Sequence, residues 1–469
     1  MSNIFERYEN HTPFILMADI PPNPLDKDAV KQYQDLGLNT FILTEDDVPF
    51  TKNGVITEAY QNAIRNLGDV GLDVYIRNMY NDADYFQNPI ENKQGSNYGT
   101  PYQMPARNIT NEFAAFPAVK GFYMADEPYM ADLEDRPGFA SFDRLQTLVD
   151  WKNQYYPKLF WHINHVSCDS YDHWPHYLGY TMEDFLQNYV DRVLRRLTDG
   201  GRSLCIDYYP FADEGKIASD YLWNVWTLAK ICRRYNLGVS VEKKATPGIC
   251  IQCHQFVSPI GEGLKRDLSC PEEIAFQVFT GMAFGARLLE YFCYRSIPQI
   301  DMNGMLRAGT PHTYDFVKEG NRIALPMAKV VSAFDWAGAF LVSGDTHENE
   351  EAFAKVKSLE LRKDVYSPDI LAIHGTYDLV VSSFYQGAIR KYMKGAEQYG
   401  YFVLNYTDPT LKHNNQVDIH FKKANQALIF QDDAWKEVSI PDGRLSLTLA
   451  PGRAAFVIPQ GQQGEKPKK

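Results

Sequence analysis

Among the ionisable residues of this chain, Glu127 has the neighbours best suited to acid–base chemistry. It stands in Gly121-Phe-Tyr-Met-Ala-Asp-Glu-Pro128, an apolar run that ends in two acids and is closed by a proline. Proline cannot extend a strand ladder, so the run reads as a strand with Glu127 held just past its end. Asp126 beside it can orient a hydroxyl or keep Glu127 protonated. Two carboxylates sharing a partly buried site repel, which holds one neutral beside an ionised partner. Such a pair is what cleavage of a glycosidic bond needs: one group protonates the departing oxygen, and the other attacks the anomeric carbon or activates water.

Other polar residues close similar runs. Asp19 follows PFILMA, Glu45 and Asp46 follow NTFILT, and Arg77 and Asn78 end LDVYI. Asn164 and His165 end KLFWHINH, and Asp207, Tyr208 and Tyr209 follow SLCI. Glu290 interrupts the apolar, aromatic ARLLEYFCYR. A lone carboxylate buried there costs several kcal/mol unless it is paired or used, with Arg77 and Arg287 as the obvious ion-pair partners.

These residues need a scaffold that gathers strand ends at one rim. From residue 13 to about 335, short apolar runs alternate with helical patterns, eight times in one series. That is the signature of a parallel (β/α)8 TIM barrel, whose reactive groups lie at the C-terminal ends of strands. An open doubly wound sheet would instead carry a glycine-rich turn after its first strand, where Asp19-Ile-Pro-Pro-Asn-Pro stands. Residues 181–197 have apolar positions at helical spacing, and Pro271 is expected to open a helix. The expected final barrel helix runs from about Thr313 to Asp335. Beyond it, short runs beginning with residues 352–361 alternate with turn residues, as in a small antiparallel β-sandwich. The expected division is a barrel over 1–336, an accessory sandwich over 337–460 and a polar tail over 461–469.

With these motifs in place, the sequence resembles the clan A (β/α)8 glycoside hydrolases, in particular family 42 β-galactosidase-like proteins and their relatives. The resemblance rests on GFYMADEP, on Asp207-Tyr-Tyr-Pro210, on PEEIAFQ (271–277) through AFGAR (283–287) and YFCY (291–294), and on GTPHTYDFVKEGN (309–321). It covers most of residues 1–340 and implies that Glu127 is the general acid/base. The clan usually has Asn before this Glu, whereas Asp126 stands here.

The resemblance also implies a second carboxylate at the end of strand seven, and the sequence allows two readings of that strand. In one, residues 237–242 form it and Glu242 is the nucleophile. In the other, the helix runs on to Ala245, residues 246–254 form the strand, and Gln252 and His254 stand at its end. The second shortens the following loop at the cost of Gly238 inside a helix, about 1 kcal/mol. The partner of Glu127 is then Glu290 or Asp207. Arg77, Asp126, Asn164, His165, Asp207, Tyr208 and Gln252 are the expected substrate-binding residues. Aromatic stretches at 98–102 and 171–180 suit stacking against sugar faces.

Two other motifs are read as chemically idle. Cys250-Ile-Gln-Cys253-His254 has the spacing of a c-type haem attachment site but overlaps a barrel strand. His162, His165, Asp169, Asp172 and His173 could suggest a metal cluster, yet residues three apart on a strand point to opposite faces. No cofactor and no metal are therefore expected.

The 47 basic against 59 acidic residues give a net charge of −12, which argues against a phosphate-neutralising surface and hence against nucleic acid. No apolar stretch is long enough to span a membrane. Seven cysteines, mostly in apolar runs, read as reduced thiols in a cytoplasmic protein. The expected partner is a carbohydrate substrate, with a homo-oligomer left open. The readings that compete with a glycosidase are a catalytically silent carbohydrate-binding barrel and a metal-dependent barrel hydrolase.

Overall fold

The structure, a computed structural model, describes residues 14–44, 48, 51–52, 55–77, 112–126, 142–165, 182–212, 216–240, 243–256, 266–296, 302–306, 312–357, 369–385 and 399–461. Eight parallel strands form the barrel: β1 (Ile15–Ala18), β2 (Thr40–Leu43), β3 (Asp73–Ile76), β4 (Val119–Asp126), β5 (Phe160–His165), β6 (Arg202–Ile206), β7 (Ala245–Gln252) and β8 (Leu288–Phe292). Each pairs with the next from β2 to β8, and β8 pairs with β1. Asn39 closes the remaining seam. Its backbone N–H donates to the Leu16 carbonyl, its side-chain oxygen accepts from the Leu16 N–H, and its amide NH2 donates to the Phe14 carbonyl.

The described helices are α1 (Lys27–Asp35), α2 (Glu58–Asp69), α3 (Phe142–Tyr155), α4 (Met182–Arg192), α5 (Tyr221–Asn236), α6 (Pro271–Ala283) and α7 (His312–Val331), with α8 (Glu350–Lys357) beyond the barrel. Asp26 caps α1 by accepting from the N–H groups of Asp28 and Ala29, and Pro271 opens α6. A continuous apolar core joins the outer faces of the strands to these helices. None of the described helices is long and apolar enough to cross a membrane.

Three readings change. Strand seven spans Ala245–Gln252, as in the reading over residues 246–254, so Glu242 does not end it; the helix of that reading stops at Asn236 and does not run on to Ala245. Residues 350–357 form α8, not a strand; Ala352, Phe353 and Val356 bury on one helical face. The last barrel helix ends at Val331, and Asp335 already begins β9 (Asp335–Val342).

The C-terminal strands are antiparallel: β10 (Ile370–Gly375), β11 (Leu379–Tyr385), β12 (Tyr399–Asn405), β13 (Asn415–Phe421), β14 (Ala424–Gln431), β15 (Ala434–Ser439), β16 (Arg444–Leu449) and β17 (Ala454–Gly461). One sheet has the order β9-β11-β12-β17-β14-β15 and the other β10-β13-β16. They enclose a core of their own, including Val381, Val403, Ile419 and Leu447. The other face of the larger sheet, through Phe384, Phe402 and Phe456, belongs to the barrel's core.

At the barrel floor, Gly121 of β4 makes room for the rings of Tyr75 and Phe160, whose centroids lie 5.6 Å apart. A Cβ on Gly121 would come within 2.8 Å of the Tyr75 ring and 2.9 Å of Phe160 Cβ. Gly121→Val is therefore expected to lower unfolding stability by about 1–3 kcal/mol in chemical denaturation, through overpacking. An unchanged midpoint would refute this account of the floor.

Candidate functional site

Alternation along each strand decides which side chains enter the barrel. On β5, His162 and Asn164 face inward, while Trp161, Ile163 and His165 face the helices. On β4 the ladder shifts register between Tyr123 and Ala125, a bulge that brings Tyr123 and Asp126 to the same interior although they are three residues apart. Cys205 of β6, Cys250 of β7 and Glu290 of β8 complete the inner wall, with Asp19 and Arg77 just past the ends of β1 and β3.

At the C-terminal mouth, Arg77 bridges two strand ends. Its Nη1 donates to Asp19 Oδ1 and its Nη2 to Asp126 Oδ2 at 3.1 Å. Its guanidinium carbon lies 4.7 Å from the Tyr123 ring centroid. Asp126 Oδ1 accepts from Asn164 Nδ2 at 3.0 Å and lies 3.1 Å from the Tyr123 hydroxyl. That hydroxyl is also 2.9 Å from Glu290 Oε1. Glu290 Oε2 meets His162 Nε2 at 3.0 Å, and His162 Nδ1 meets Ser203 Oγ at 2.7 Å. One hydrogen-bonded chain thus descends from the mouth through Asp126, Tyr123, Glu290 and His162 to Ser203.

Accessibility falls along that chain. The Asp126 side chain is 25% exposed and Arg77 15%, but Asp19 is 4% and Glu290 2% exposed. Burial pushes the Glu290 carboxyl up to about 8, reinforced by the charge of Asp126 and opposed by the Tyr123 hydrogen bond and Arg77. Burial pushes His162 down to about 3, so its imidazole is neutral. Asp19 is raised to about 6, again first by burial; Arg77 opposes the rise, and Asp126 and Glu290 add to it.

The mouth therefore gathers Arg77, Asp126 and Asn164, with Asp207 following β6, 5% exposed as a residue. Glu290 lies deeper, among buried groups. Its partners are Tyr123 and His162: Arg77 is held by the two aspartates, and Arg287 donates to the carbonyls of Val331, Ser332 and Phe334. Three expected substrate ligands are turned to other tasks. His165 is buried edge-on against Tyr189 of α4, with centroids 4.3 Å apart. Tyr208 stacks on Tyr221 of α5, and it is Tyr209 that joins the interior, beside Phe292 and His254. Gln252 spends its amide on backbone, accepting from the Phe211 N–H and donating to the Phe211 and Arg266 carbonyls. Glu127, Glu242, Glu45, Asp46, Asn78 and the aromatic stretches at 98–102 and 171–180 lie outside the described residues.

Tyr123 is the neighbour of this group that sequence reasoning missed; His162 was weighed there only as a metal ligand, although it shares parity with Asn164. Tyr123 was hidden by the bulge, since simple alternation from Asp126 selects Met124. In the haem-like motif, Cys250 joins the interior and Cys253 the outer core, so the two thiols face apart.

No family model and no curated protein matches the sequence. Solved structures similar to the chain include a GH27 β-L-arabinopyranosidase from Geobacillus stearothermophilus, with 10% identity over 99% of both chains and a TM-score of 0.49. Others are a bifunctional glucanase-xylanase from a metagenome library (13% identity, 96% of this chain and 100% of that one, TM-score 0.42) and a glucosidase from Croceicoccus marinus (9%, 97% of each, TM-score 0.40). These likenesses are too distant to carry an argument about activity, which rests on the site itself.

The raised Asp19 carboxyl has a consequence for stability. Between the ordinary value of 3.8 and about 6, the folded chain holds a proton that the unfolded chain releases. This contribution therefore weakens the fold as pH rises through that window. Urea denaturation of wild type and Asp19→Asn from pH 4 to 7 should show the wild type losing stability relative to the variant. A constant difference across the range would mean that Asp19 titrates normally.

Proposed function

We propose that the protein is a glycoside hydrolase that cleaves an O-glycosidic bond by a two-carboxylate mechanism. What carries the reading is the Arg77–Asp126–Asn164 group at the barrel mouth, whose Asp126 directly precedes Glu127 in the chain. Such a group, partly exposed and rich in fixed donors and acceptors, suits the hydroxyls of a sugar. Glu127 donates its proton to the leaving oxygen. Asp207 is the second carboxylate, because Glu290 is sealed beneath the mouth and strand seven begins only at Ala245. Arg77, Asp126 and Asn164 hold the sugar.

One observation favours a second reading, a carbohydrate-binding barrel without turnover. Strand seven ends in Gln252, with His254 two residues on, and carries no acid there.

Release of product from a panel of aryl glycosides and oligosaccharides tests both. Wild type is expected to release sugar, and Glu127→Gln and Asp207→Asn each to lose at least about a hundredfold in turnover. Undiminished hydrolysis by Glu127→Gln would overturn its role as the acid. Saturable sugar binding without release by wild type would establish the silent barrel instead.

A further inference from the structure

We infer that the barrel interior holds a structural divalent cation of the zinc class, bound by His162 Nε2, Cys205 Sγ and a Glu290 carboxylate oxygen. The three donors come from β5, β6 and β8, and their ligand atoms lie within 4.8 Å of one another. All three residues are buried, with at most 1% exposure. An imidazole nitrogen, a thiolate and a carboxylate form a borderline-soft donor set that suits zinc better than magnesium or calcium.

Two further features support the site. Ser203 Oγ, 2.7 Å from His162 Nδ1, can accept the Nδ1 hydrogen, which leaves the Nε2 lone pair aimed at the cluster. Metal-bound histidines are typically fixed in this way through their second nitrogen. The 3.0 Å line between Nε2 and Glu290 Oε2 marks where one proton now joins two ligand atoms; a bound dication would displace that proton and the Cys205 thiol proton, both released to solvent. Charge does not oppose it: a dication balanced by one thiolate and one carboxylate leaves the buried centre neutral, and Arg77 stays bound to Asp19 and Asp126. The Cys250 thiol, which donates to Asn164 Oδ1 at 3.5 Å, lines the same interior beside Cys205.

The burial of all three donors makes the cation a brace between strands, out of contact with substrate. The inference does not depend on the glycosidase reading. It predicts about one zinc per chain in full-length protein purified from zinc-supplemented cultures, by elemental analysis. Refolding with cobalt(II) should produce a thiolate-to-cobalt charge-transfer band. Cys205→Ser, a near-isosteric change, should fall below about a tenth of the wild-type metal content and lose that band, whereas Cys253→Ser should keep both. If Cys205→Ser does not fold, His162→Gln supplies the same comparison. Wild type without stoichiometric metal or the cobalt band, or equal metal in Cys205→Ser, would overturn the site.

Discussion

The arrangement at the barrel mouth depends on the Arg77 guanidinium. It is shared between Asp19, at the end of β1, and Asp126, at the end of β4, and it lies over the ring of Tyr123. Removing it would leave two carboxylates facing each other in a region where water screens poorly. The same sharing explains the unequal treatment of the acids. Asp126 keeps Arg77, Asn164 and some exposure. Glu290, deeper and not hydrogen-bonded to the guanidinium, is held by the Tyr123 hydroxyl and a neutral His162 imidazole.

That division makes the interior unusual for a barrel. The inner layers of such folds are normally filled by branched aliphatic side chains. Here Met17, Ile42 and Leu288 supply apolar packing on one part of the wall, while Tyr123, His162, Cys205, Cys250 and Glu290 supply polar atoms on the rest. A buried polar layer of this kind destabilises unless its atoms are mutually satisfied. The chain of contacts from Asp126 down to Ser203 meets that condition, and it ties β4, β5, β6 and β8 together through side chains as well as through the sheet.

How much of this was legible in the sequence follows from periodicity. The eight strands, most helices and the location of acids at strand ends could be read because strand–turn–helix punctuation is local. The parity of the expected site residues is harder to read. Asn164 and Asp126 face inward as expected, but His165 and Tyr208 are each one position off, and a one-residue error reverses a side chain's direction. A bulge such as that between Tyr123 and Ala125 cannot be seen in a pattern of apolar residues. Strand seven was legible in the reading over residues 246–254, but the helix before it was not: Gly238, at φ 79°, follows the helix end at Asn236 and starts a turn, so the helix does not run on to Ala245. Gln252 illustrates a third limit: a buried amide at a strand end resembles a sugar ligand until its backbone partners are known.

The C-terminal sheets extend the argument from the mouth to the far side of the molecule. Trp336 Nε1 of β9 donates to the Ala283 carbonyl at 2.8 Å, and Ser382 of β11 donates to the same oxygen. Phe402 and Tyr406 pack on Phe279 and Phe276 of α6. One side of α6 is thus held by the sheet. Its other side holds β7: Gln277 accepts from the Gln252 N–H at 2.7 Å and donates to the Gln252 carbonyl at 3.1 Å. Near its start, Glu273 binds Arg266, whose carbonyl accepts from the Gln252 side chain. The position of the strand-seven end, and with it His254 against Tyr209, is therefore set from both directions. The sheet is part of the support of the mouth, because the helix that it anchors cannot shift without moving Gln252 and the Phe211 backbone that Gln252 holds.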